Sequence, residues 1–205
     1  MRQSGNLACL RDCACRRALR LRALVERCKP PLNPIEARTV AFVCIEAVNL
    51  WATFVRAFYL SCMHNAKRAG GGHVTIAVPG LNTDDAAIAY SLKVIKIERR
   101  GEPVWHDPAT LSKLFVAVRA SNLTQVLAAI SAQPQVFQLL PTVRNFFAHR
   151  SLQTSQKVAG VARTIGVDVR LHPCDILCSR LPGRPQNVLA DWIDDIRNTI
   201  ELACH

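Results

Sequence analysis

The pattern of apolar and polar positions along this chain is mainly helical. Over residues 6–28, Leu10, Ala14, Leu21, Leu24 and Val25 recur at helical spacing, while Arg11, Arg16, Arg20, Arg22 and Arg27 fall mostly on the other side. This predicts a basic amphipathic helix, ended by Lys29-Pro30-Pro31. Residues 35–66 are the most apolar segment and predict a central helix. The run from Val40 to Met63 is long enough to raise the question of a membrane span. Glu46, Asn49 and Arg56 within it argue against one, because charge at mid-bilayer is costly.

Beyond this helix, Gly70-Gly71-Gly72 breaks the pattern, without the context of a phosphate-binding loop, and predicts a flexible connection. Residues 73–78 suit a short strand, and Asn82 or Thr83 can cap a helix over residues 84–96, with Asp84 and Asp85 at its positive end. Asp107-Pro108 is a cap followed by a first-turn proline, with Leu111, Leu114, Phe115 and Val118 as the buried stripe. Ser121 starts a further short helix through Leu123, Val126, Leu127 and Ile130, and residues 134–140 form a third. After Pro141, Thr142 is placed to cap a long helix running through Phe147, Val158, Val161, Ala162 and Ile165 to a stop at Gly166. Residues 167–184 read as loop. Pro185 then opens a last helix with Leu189, Trp192, Ile193, Ile196 and Ile200 on one face and Asp191, Asp194, Asp195 and Glu201 on the other. The expectation is an all-α fold, an antiparallel helical bundle of four to five main helices with short accessory helices. It forms a single domain over residues 1–205, with 67–107 as an insertion.

Composition sharpens this picture. Half of the 205 residues are apolar, enough for a substantial core. Lys and Arg number 26 against 15 Asp and Glu, a net charge of +11 that favours an anionic partner, foremost a nucleic acid. Nine cysteines at uneven spacing do not form a disulfide framework, and no secretory signal precedes them, so a reduced, cytoplasmic setting is expected. Asp12 and Glu26 weigh against a transit peptide in the Arg-rich opening.

Candidate chemistry concentrates in Arg144-Asn145-Phe146-Phe147-Ala148-His149, followed by Arg150. A guanidinium binds phosphate in bidentate fashion, an imidazole moves protons near neutral pH, and an amide orients either partner. These are the parts of a metal-free phosphodiester cleavage. At 100° per residue, Asn145 and His149 lie about 40° apart around a helix, but Arg144 and His149 about 140° apart. Either the helix begins after Arg144, or a second copy of the chain completes the site.

A second constellation lies on the central helix. Glu46, Asn49, Thr53 and Arg56 fall within about 80° of one another. They form either a buried salt-bridge and hydrogen-bond ladder or one wall of the active cleft. Cys9, Cys13 and Cys15, and His172, Cys174 and Cys178, lack the paired spacing of zinc sites, so no metal and no cofactor is expected. His64 and His106 read as a helix-end residue and a packed turn. There is no G-x-S-x-G nucleophile motif and no recognisable Cys–His protease signature.

Arg144, a polar residue at 145, and His149 after four intervening residues resemble the motif of the HEPN superfamily, and the wider Arg-Asn-Phe-Phe-Ala-His-Arg looks like members from bacterial defence and toxin systems. The likeness extends more weakly to Asn49-Leu50-Trp51 with Arg56 and Tyr59, and to the region of Trp192. The resemblance implies a metal-independent endoribonuclease acting on RNA as a homodimer with facing motifs. In it Arg144, Asn145 and His149 are catalytic. Arg150, Arg56, Asn49 and Glu46 complete the substrate-binding site. It also implies a defence or toxin–antitoxin setting, with a cognate antitoxin or defence partner and no membrane. The alternative is a catalytically inactive HEPN module that binds RNA or a protein partner.

Overall fold

A computed structural model describes residue 1, residues 5–97 and residues 101–205, apart from the side chain of Pro134. The chain is all-α. Among the described residues there are nine helices and no strand: α1 (Leu7–Val25), α2 (Pro34–Met63), α3 (Asp84–Ile95), α4 (Pro108–Val118), α5 (Leu123–Ala132), α6 (Pro134–His149), α7 (Leu152–Ile165), α8 (Pro173–Cys178) and α9 (Val188–Cys204). The chain forms two compact units; three of the four boundaries between them fall within α1, α2 and α9, and the fourth between α5 and α6. The first comprises Met1–Arg16, Leu50–Gln133 and Asn198–His205, and the second Arg17–Asn49 and Pro134–Arg197.

The core of the first unit is aromatic. Phe54, Phe58 and Phe115 stack in sequence at ring-centroid distances of 5.5 Å, and Tyr59 meets Trp105 and Phe115 at 5.6 and 5.9 Å. The Tyr59 hydroxyl is hydrogen-bonded to that of Ser91 at 3.0 Å, and burial pushes its pKa up to about 12. α3 is capped by Thr83 and α4 by Asp107, as expected; the Asp107 carboxylate accepts from the backbone N–H groups of Ala109 and Thr110. Residues 73–78 make no strand. Their backbone is instead used singly: Val74 N–H donates to Ala66 O, Ala77 N–H to Val118 O, and Thr75 O accepts from Ser121 N–H. Lone extended segments satisfy their polar groups where they can. Nor is the glycine-rich connection loose. Ala69 and Gly70 N–H donate to the carbonyls of Cys204 and His205, and a Cβ on Gly70 would meet His205 O at 2.7 Å. Close backbone approach accounts for the glycine there.

In the second unit, α6 departs most from the expected pattern. It runs straight through Pro141 and ends at His149, so the motif occupies the last turns of one helix rather than the start of another. Proline in a helix interior costs about 3 kcal/mol. Val136, Phe137, Leu140, Val143 and Phe147 are all buried from this one helix, each contributing roughly 1.5–3 kcal/mol, which outweighs it. Thr142 caps nothing; its hydroxyl donates back to Gln138 O at 3.3 Å. The break comes at Arg150, whose backbone is left-handed (φ 41°) and whose N–H donates to Phe146 O at 2.8 Å. Ser151 then starts α7 with a reciprocal capping box shared with Thr154, and Gly166 ends it in the left-handed conformation.

Two further differences follow from packing. The stripe of α1 that becomes buried is Leu7, Leu10, Ala14, Ala18, Leu21 and Val25; Leu24, about 100° from Val25, is off it and exposed. Arg22 is half-buried and ion-paired with Asp194 at 3.0 Å. Within residues 167–184, α8 is a helix capped by His172 and opened by Pro173. α9 begins at Val188 rather than at Pro185, because the buried Asn187 caps it: its side-chain oxygen accepts from Ala190 N–H, and its amide donates to Val25 O. Helix α2 is long and apolar enough to cross a membrane, and 56% of its most apolar stretch is buried within the protein.

Candidate active site and its flanking cleft

The motif is displayed by the end of α6. Val143 and Phe147 face the core, while Asn145, Ala148 and His149 are exposed. Arg144 lies inside the helix, so a helix beginning after it is ruled out. Its backbone direction diverges from that of His149 by about 140°. The guanidinium nonetheless bends round the helix, and Nη1 donates to Asn145 Oδ1 at 3.2 Å. The rest of the side chain is half-buried. Its Nε is buried without a hydrogen-bond partner among the described residues. Its charge opposes the burial that pushes the Cys44 thiol up. Arg144, Asn145 and His149 thus form one polar edge, with the amide linking the guanidinium to the side of the helix that carries the imidazole. The His149 side chain makes no hydrogen bond among the described residues and is open to a ligand.

Beside this edge is a cleft of about 280 Å³, lined by Phe146 and Phe147 from the motif, Arg150 just after it, Ala37, Arg38 and Ala41 from α2, and His172 and Cys174 at the start of α8. Phe146 meets the His172 ring edge to face, with centroids 6.4 Å apart. The Nδ1 atom of His172 accepts the N–H of Cys174 at 3.2 Å. That bond places the proton of the neutral ring on Nε2, so His172 offers the cleft a donor and no acceptor. Arg38 and Arg150 have no carboxylate partner among the described residues. Arg38 and His172 carry no distinctive sequence signal. Only the spacing of Ala37 and Ala41, one turn apart on a helix, hints at a recess.

The remaining predicted site residues are engaged elsewhere. Glu46 is paired with Arg17 and accepts from Asn49 Nδ2 at 2.9 Å. The bond from Asn49, with a smaller contribution from Arg17, holds the carboxyl below its ordinary range. Arg56 belongs to the first unit. Its guanidinium makes two 2.7 Å bonds to Glu102, which also accepts from Trp105 Nε1. The polar stripe of α2 therefore resolves into fixed local pairs.

Cys28, Cys44, Cys62, Cys174, Cys178 and Cys204 are buried thiols, with Cys28 hydrogen-bonded to Cys178, and Cys9 and Cys13 are exposed. Among the described residues, no three His, Cys, Asp or Glu side chains are grouped to hold a metal ion. His64 lies 3.3 Å from Asp84, and His106 O accepts from Trp51 Nε1 at 3.3 Å. The acidic side of α9 is partly covered rather than solvated: Asp191, Asp194 and Asp195 are half-buried, and burial with Asp191 nearby lifts Asp195 to about 6. No protein-family model, curated protein or solved structure matches this chain.

Proposed function

We propose that the protein is a metal-independent endoribonuclease whose site is the polar edge at the end of α6. The observation that carries this reading is the bond from Arg144 to Asn145 beside an exposed, uncommitted His149. Cleavage begins when the ribose 2′-hydroxyl loses its proton to an imidazole and its oxygen attacks the adjacent phosphorus. The bond from phosphorus to the 5′-oxygen then breaks, and that oxygen takes up a proton. The products carry 2′,3′-cyclic phosphate and 5′-hydroxyl ends. Arg144 neutralises the charge that builds on the phosphate, and Asn145 holds the guanidinium beside it.

In an in-line displacement the attacking 2′-oxygen and the leaving 5′-oxygen lie on opposite sides of the phosphorus, so an imidazole placed to take the first proton is not placed to deliver the second. His172 is no substitute base, because its proton-free nitrogen is already used as a cap. The second His149 comes from a second copy of the chain, with two motifs facing across a two-fold axis. The engagement of the Arg144 guanidinium with Asn145 rather than with His149 favours a second reading, a catalytically silent HEPN-like module that binds RNA or a protein partner.

The experiment is cleavage of RNA in excess chelator by the wild type and by His149→Ala. The expected result is cyclic-phosphate products from a dimer, lost in the variant while RNA is still bound. Undiminished cleavage by His149→Ala, or loss of wild-type activity on adding chelator, would sink the proposal. Binding without cleavage by the wild type would select the silent module.

A further inference from the structure

The cleft lined by Arg38, Phe146, Arg150 and His172 has a chemistry of its own. Two arginines line it, Arg38 from α2 and Arg150 from the junction between α6 and α7, and no carboxylate belongs to its lining. Phe146 is half-buried, so part of the ring remains open. Ala37 and Ala41 provide a floor of small side chains. With Nδ1 of His172 occupied by the Cys174 N–H, the neutral ring has only Nε2–H to offer a ligand and so suits an acceptor. At about 280 Å³ the recess is near the lower limit of ligand clefts, room for one base and its phosphate rather than for a folded segment.

We infer that this cleft is a nucleotide subsite for single-stranded RNA, in which Arg38 and Arg150 hold a phosphate, the neighbouring base packs on Phe146, and His172 Nε2–H donates to an acceptor of that nucleotide. An aromatic ring beside paired arginines suits an unstacked base with its backbone. A paired base in a duplex keeps its faces stacked and has none to offer the ring. An acidic peptide would use the arginines and leave the ring without a role. The inference rests on the ribonuclease reading for the identity of the strand as RNA, and it adds residues outside the motif, Arg38 and His172, that fix where the strand lies relative to His149.

The test is fluorescence anisotropy of the intact chain with a labelled single-stranded oligodeoxynucleotide. Having no 2′-hydroxyl, it cannot be cut by the proposed route, so binding is read independently of catalysis. Arg38→Gln and Phe146→Leu should each weaken binding about ten-fold, and His172→Asn, which retains a side-chain cap for α8, about three-fold. Ala41→Leu fills the floor without changing charge and should also cost about ten-fold, with thermal unfolding confirming that each variant is folded. The corresponding duplex should bind more weakly and be indifferent to Phe146→Leu.

Single-strand affinity unmoved by both Phe146→Leu and Ala41→Leu would overturn the inference. So would Arg38-dependent binding of polyglutamate that the oligonucleotide does not displace. If RNA is never cleaved but oligonucleotide binding follows these residues, the subsite stands and the ribonuclease reading falls. If RNA is cleaved while binding ignores them, the subsite alone is wrong.

Discussion

Arg150 joins the fold and the proposed function at one residue, and two substitutions separate its contributions. Its backbone is left-handed, with φ of 41°, and its N–H closes the last turn of α6 on Phe146 O. For a residue with a Cβ that conformation costs roughly 1–2 kcal/mol. Glycine removes the steric cost but loses roughly 0.5–1 kcal/mol more in conformational freedom on folding. Arg150→Gly should therefore stabilise the protein by up to about 1.5 kcal/mol. Arg150→Ala keeps the strain, and because the side chain is exposed it should stay within about 0.5 kcal/mol of wild type. Both variants remove the same guanidinium. If that group holds a phosphate, both should lower the slope of log affinity against log salt by about 0.7 for a single strand. Urea unfolding gives the first quantity, and anisotropy across a salt series gives the second. A glycine variant no more stable than the alanine variant would refute the strain argument. A salt slope unchanged in both would refute the phosphate contact.

Two further predictions concern stability. Asp195 titrates near 6 in the fold against 3.8 when exposed, so folding is penalised by its ionisation, and stability falls as pH rises from about 4 through 6. The full shift corresponds to about 3 kcal/mol, reduced to about 1 kcal/mol for a half-exposed carboxylate. Asp195→Asn should match wild type at pH 4 and exceed it by about that amount at pH 7, and equal stability at both pH values in denaturant titrations would count against this. A double-mutant cycle of Arg56→Met and Glu102→Gln should give a coupling of about 1 kcal/mol, because the pair is bidentate but partly exposed. A coupling indistinguishable from zero would mean that the ion pair adds nothing to the first unit.

The sequence by itself determined what depends on neighbours along the chain. Thr83, Asp107-Pro108 and Gly166 mark helix ends because capping groups act within three or four residues. Leu189, Trp192, Ile193, Ile196 and Ile200 declare the buried face of α9 by spacing alone. The side-chain types of the six-residue motif are read directly from the sequence as well. Their setting is not. Pro141 is a local stop signal, overridden because the helix buries apolar side chains on both sides of it, and burial depends on partners remote in sequence. Leucine at position 24 and arginine at position 22 exchange their expected environments because an ion pair to Asp194, 172 residues away, covers the arginine. The separation of Glu46 from Arg56 into pairs with Arg17 and Glu102 has the same origin, since helical periodicity reports which side chains share a face and says nothing of what meets them. Arg38 and His172 reach Phe146 through folding alone, across more than a hundred residues in one case, and tertiary contact at that distance leaves no trace in local pattern.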